Sequence, residues 1–98
     1  MGKPKPVFAL DPRQCRAGRA LLGWSQADLS GAAAVNKRTI LDFESGARQP
    51  YGRTLLDLRE AMERAGVVFL ADGEQVAGGP GVRLADRTEA PSVEDMLK

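Results

Sequence analysis

Lys37 to Gly46 reads KRTILDFESG, and the fold turns on how this stretch is read. Asn36 stands just before it. Its side-chain carbonyl can accept an otherwise unpaired first-turn amide, so a helix is predicted to begin at Lys37. Ile40 and Phe43 fall three apart and share one face, which can anchor that helix to a core. Lys37, Arg38, Thr39 and Asp42 then project away from the core. Gly46 is predicted to close the segment in the left-handed conformation, and Pro50 prevents an early restart. The product is a short helix with a basic tip, pinned from behind by two apolar side chains.

Upstream, Ala34-Val35-Asn36 is a turn so short that it can only set two helices at a steep angle, with Val35 dropped into the wedge between them. The helix before it is expected from about Gln26 to Ala33. Ser25 caps it, Asp28 complements its dipole, and Leu29 and Ala33 form a narrow inward face. Helix, tight turn and helix make a helix-turn-helix unit. Asp11-Pro12 opens an earlier helix, because Asp is a good N-cap and Pro fits the first turn. Its inward stripe is Cys15, Gly18, Leu21 and Leu22, its arginines 13, 16 and 19 lie elsewhere on the surface, and it ends near Gly23-Trp24. Cys15 reads as a small core residue and Trp24 as a structural plug.

Downstream, Leu55, Leu58 and Met62 recur at helical spacing, with Leu56 flanking, in a fourth helix from about Thr54 to Ala65. Residues 67–71, VVFLA, are β-branched and aromatic and predict a strand; residues 82–86, VRLAD, alternate as a second strand. The glycine-rich stretch between them lacks the lysine and following helix of a phosphate-binding loop, so a β-hairpin is expected. Its open edge and two-sided apolar strand need cover, and a second copy of the chain supplies it most economically. The expected dimer interface is Val67, Val68, Phe69, Leu70, Val82 and Leu84. Residues 1–10 are expected to form a flexible arm whose Lys3 and Lys5 can reach phosphates, residues 11–66 a helical domain, and residues 87–98 a flexible tail. Ser92 to Asp95 carries a capping-box pattern.

Ninety-eight residues, 43% of them hydrophobic, suffice for one small domain. No run approaches the roughly 18 apolar residues of a membrane span, and the VFAL after the basic leader is too short for a signal-peptide core. A lone cysteine suits a reducing cytoplasm, the expected location. No histidine is present, which removes histidine-built metal sites and histidine general bases. No metal, no cofactor and no enzymatic activity are expected. The net charge of +1 conceals a division: residues 1–53 hold nine Lys/Arg against four Asp/Glu, whereas residues 54–98 hold five against nine. The first half is the side suited to a polyanion.

The run from Trp24 to Pro50, WSQADLSGAAAVNKRTILDFESGARQP, resembles the helix-turn-helix of the XRE family, the repressor and Cro type of bacteria and phages. Ser25, Gln26, Leu29, Ala33, Val35, Ile40, Phe43, Glu44, Gly46 and Pro50 match its pattern at its spacing, and the resemblance covers roughly residues 12–66. Two positions depart from it. Ala34 stands where the family has a turn glycine, and Gly31 lies inside the second helix.

The resemblance implies a mainly α, lambda-repressor-like bundle of four or so helices, here with the C-terminal β-hairpin attached. It also implies residue roles. Gln26 would bond a phosphate beside the N-terminus of its helix. Lys37, Arg38 and Asp42 would reach base edges in the major groove, Arg38 suiting guanine. Asp42 can accept from a cytosine amino group or hold Arg38 or Lys37 in position. Thr39 can meet a phosphate or a thymine methyl, and Arg48, Gln49 and Arg53 would grip the backbone. Tyr51 can bond DNA or pack where the fourth helix begins. The hairpin segment also resembles the tail of small single-domain proteins of this type. The implied function is sequence-specific binding of double-stranded DNA by a homodimeric regulator, in the simplest case a repressor at a pseudo-palindromic operator. The alternative is an antitoxin-like module that binds a protein partner through its C-terminal half.

Overall fold

The computed structural model describes residues 10–85, and in it four helices follow one another: α1 Pro12–Leu22, α2 Gln26–Ala33, α3 Lys37–Glu44 and α4 Gly52–Arg64. Each of the first three begins on the cap its sequence demands. Asp11 accepts from the Arg13 amide at 2.7 Å while the Gln14 side chain accepts from the Asp11 amide at 3.0 Å. The Arg13 guanidinium beside Asp11 holds that carboxyl below the usual carboxylate range. Ser25 and Asp28 cap α2 reciprocally, each side chain accepting from the other's amide at 3.0 and 2.9 Å. Asn36 accepts from the Arg38 amide at 2.7 Å. Only α4 lacks a side-chain cap, and it begins at Gly52, two residues before the expected Thr54.

The turn between α2 and α3 takes the conformation its length requires. Ala34 sits at φ 56°, the one described non-glycine residue in the left-handed region. The Ser30 hydroxyl donates to the Val35 carbonyl at 2.6 Å, and Val35 is buried in the wedge. A Cβ in that region costs about 1 kcal/mol or more, partly offset by the greater freedom glycine has in the unfolded chain. Ala34→Gly should therefore raise stability by about 0.5–1 kcal/mol, read as a higher urea midpoint at unchanged slope.

α1 and α2 each pack against both α3 and α4, α2 meeting α3 across the turn. Phe43, Leu29, Ile40, Leu58, Met62 and Cys15 are fully enclosed between them. Burial of each large apolar side chain is worth about 1.5–3 kcal/mol, so this cluster holds the short helices in place where propensity alone would not. Two assignments change. Leu21, placed on the inward stripe of α1, is 57% exposed, and Leu10, assigned to a loose arm, is buried in the core.

The expected hairpin is not formed: no strand occurs among the described residues. The chain after α4 instead lies along the helices. Val67 and Phe69 alternate inward and are buried in the chain's own core, so they are not available to a dimer interface. Gly18 makes room for this packing, since a Cβ there would lie 2.8 Å from Met62 Sδ and 3.1 Å from Phe69 Cζ. The Arg59 guanidinium covers the other side, 5.7 Å from the Phe69 ring centre. Gln14 Nε2 donates to the Leu70 carbonyl at 3.0 Å. Arg83 donates to the carbonyls of Glu74, at 2.6 Å, and Ala71, at 3.2 Å. A side chain thus takes the Ala71 carbonyl, an acceptor at the end of the expected first strand. Residues 1–9, the last residue of the expected second strand and the tail 87–98 with its capping-box pattern lie outside the described residues.

Candidate nucleic-acid interface

α3 has two faces with different chemistry. Ile40, Phe43 and Glu44 point into the core, and successive residues turn by about 100° around the axis. The opposite side is therefore centred on Arg38, Asp42 and Ser45, flanked by Leu41 on one side, with Lys37 beyond it, and by Thr39 on the other. Arg38 and Lys37 are exposed, while Thr39 and Asp42 are half-buried. Arg38 Nε lies 3.3 Å from Asp42 Oδ1, one turn apart, with Arg38 itself 78% exposed. Asp42 thus pairs with Arg38 and not with Lys37. Such an exposed pair is weak, so the guanidinium is loosely aimed outward and remains exchangeable.

Past α3, Gly46 adopts φ 82°, and the Ala47 and Arg48 amides both donate to the Asp42 carbonyl, at 2.9 and 3.2 Å. This tight C-terminus sets Arg48 and Gln49 at the end of the helix, both exposed. Arg53, in the first turn of α4, pairs with Asp57 at 3.2 Å and is 77% exposed. Tyr51 stands 82% exposed between them, so it does not pack where α4 begins.

Glu44, buried at 4% exposure, fastens α3 from behind. Its carboxylate accepts two bonds from Arg19, Nη2 to Oε1 at 2.7 Å and Nε to Oε2 at 2.8 Å. It also accepts from Gln26 Nε2 at 3.1 Å and from the Cys15 thiol at 3.1 Å. Arg16 Nη1 donates to the Glu44 main-chain carbonyl, and Arg19 Nη1 to that of Trp24 at 3.1 Å. Two cations thus sit at the C-terminal end of α3, where the helix dipole favours them. Burial alone would push the Glu44 carboxyl up, but Arg19, Cys15 and Gln26 together hold it below the usual carboxylate range. The same carboxylate raises the Arg19 guanidinium further. Burial first, and Glu44 second, push the Cys15 thiol far above its ordinary range, so it stays protonated and donates.

α1, α2 and α3 therefore converge on one carboxylate. Gln26 serves that network, which leaves at most one N–H of its side-chain amide for a phosphate. Arg19, read as an ordinary surface residue, is a core partner with 18% side-chain exposure. The signal was present in the sequence: Ile40, Phe43 and Glu44 fall at i, i+3 and i+4, and a carboxylate on a buried stripe requires a cation opposite it.

Of the expected DNA contacts, Lys37, Arg38, Thr39 and Asp42 share α3, Arg48 and Gln49 follow it, and Arg53 stands one helix on. Leu41, 40% exposed on the outward side, has no place in the expected set. Of the expected dimer interface, Val68, Val82 and Leu84 are exposed and Leu70 is half-buried. Leu21 and Val76, both more than half exposed, lie with Val68, Leu70 and Val82 along a groove of about 490 Å³. No described helix is long and apolar enough to cross a membrane. No protein-family model matches the chain, and no curated protein matches it.

Proposed function

We propose that the protein binds double-stranded DNA sequence-specifically, as a homodimeric transcriptional regulator whose simplest action is to repress by occupying an operator. One observation carries this: a helix of only eight residues presents Arg38, Asp42 and Lys37 outward while its opposite face is locked to the rest of the bundle. A rigid mount behind a charged, protruding face is what base readout in the major groove requires. Arg48, Gln49 and Arg53, just beyond the helix, suit the flanking phosphates.

The homodimer draws support from the exposed apolar side chains Leu21, Val68, Val76, Val82 and Leu84, more than a small monomer needs to leave in water. The same surface supports the second reading, an antitoxin-like module that covers it with a different protein. A protein that copurifies one to one and blocks self-association would favour that reading.

Selection of bound duplexes from a random pool tests the proposal. The expected outcome is a two-fold symmetric motif with half-sites about one helical turn apart. A pool that shows no enrichment, even at low salt, would discard it. On the selected duplex, Arg38→Ala should lose about 1–3 kcal/mol and relax the preference at one or two base pairs. Arg48→Ala should instead weaken all sequences alike and flatten the dependence on salt. Titrations across a salt series separate the two.

A further inference from the structure

We infer that Leu41 reads the 5-methyl group of a thymine, a specificity contact that rests on the DNA-binding reading above. Leu41 is the one large apolar side chain of α3 that reaches solvent, at 40% exposure; Ile40 and Phe43 are fully buried. It stands four residues after Lys37 and three after Arg38, so the three side chains are neighbours on the helix surface. Asp42, the next residue, holds Arg38. Leu41 therefore lies within the cluster of groups offered to base edges and carries no hydrogen-bonding atom of its own. The only apolar group on the major-groove edge of a natural base pair is the thymine methyl. An isobutyl side chain seated between two cations complements a thymine adjacent to the base pair that Arg38 engages, because covering the methyl removes apolar surface of both partners from water.

The experiment exchanges thymine for deoxyuridine, one position at a time, in the half-site recovered from the random pool. This deletes only the methyl group and leaves base pairing intact. One position should weaken binding of the unaltered protein about fourfold, the effect of burying one methyl-sized group. Leu41→Ala should lose a similar factor on the thymine duplex and be indifferent to the exchange at that position. The measurement on the unaltered protein stands even should the variant fold poorly, and circular dichroism reports its folding directly. Indifference of the unaltered protein at every thymine, or an equal loss on exchange in Leu41→Ala, overturns the inference while leaving DNA binding intact. Absence of any selected duplex removes the DNA-binding reading itself, and this inference with it.

Discussion

Phe69→Asp should unfold the helical domain outright, a larger effect than the loss of a dimer contact. The ring is 7% exposed, lies against Gly18 of α1, and is roofed by the Arg59 guanidinium of α4. Truncating a buried Phe costs about 3–5 kcal/mol through lost burial and the cavity left behind. A carboxylate in the same place adds a desolvation penalty, which Arg59, already paired with Glu63 at 3.1 Å, offsets only incompletely. Small domains have only about 5–15 kcal/mol in reserve, so most of the stability should go. Urea unfolding followed by helical ellipticity measures it. Val68→Asp is the matched control: its site is 54% exposed, so at protein concentrations where the chain is monomeric its stability should change by no more than about 0.5 kcal/mol. A Phe69→Asp protein that keeps both helicity and midpoint would show that the segment after α4 does not belong to the core.

The contrast between these neighbouring residues marks where the sequence was legible and where it was not. The four helices follow from local chemistry. Asp11, Ser25 and Asn36 are caps whose partners lie two or three residues away, and Ala34 and Gly46 take the left-handed backbone that their turns demand. Such signals lie within a few residues of where they act. The segment after α4 is different. VVFLA satisfies the pattern of a strand, but nothing local says whether its apolar alternation meets another strand or the gap between α1 and α4. That gap exists because residue 18 has no side chain, a fact about 50 positions away in the chain. Leu21 was misplaced for the related reason that four apolar positions on a helix overfill a narrow buried face.

The outward face of α3 was legible for the same local reason, since caps and spacing fix which residues turn away from Ile40 and Phe43. Its support was legible only as far as Glu44 on the buried stripe, not in the partners that meet it. Gln26 and Arg19 are polar residues on helix surfaces, and from spacing alone they suit solvent or phosphate equally well. Only the meeting of three helices reveals that both are committed to Glu44. The mount of the candidate reading head is thus polar as well as apolar, so its geometry depends on a titratable group.

Glu44→Ala should cost about 3 kcal/mol and lower any DNA affinity along with stability. Removing the carboxylate strands the Arg19 guanidinium at 18% side-chain exposure and deprives Gln26 and Cys15 of their acceptor. Breaking a buried ion pair from one side costs about 3–5 kcal/mol, and the low end applies because Arg19 keeps the Trp24 carbonyl and some contact with water. Arg19→Met combined with Glu44→Leu should recover much of the loss, since replacing both partners leaves no unpaired charge. The pair also sets the acid limit of the fold. The folded Glu44 carboxyl titrates below its ordinary value of 4.5, which the unfolded chain approximates. Its contribution is therefore complete above 4.5 and is lost as pH falls towards the folded value. Glu44→Gln, which keeps the shape, should be less stable at neutral pH yet show a flatter acid limb, so the two stability curves converge as pH falls. Parallel curves from about pH 7 to pH 3 would mean that the carboxyl titrates alike in the folded and unfolded chain, and that its pairing with Arg19 adds nothing to stability.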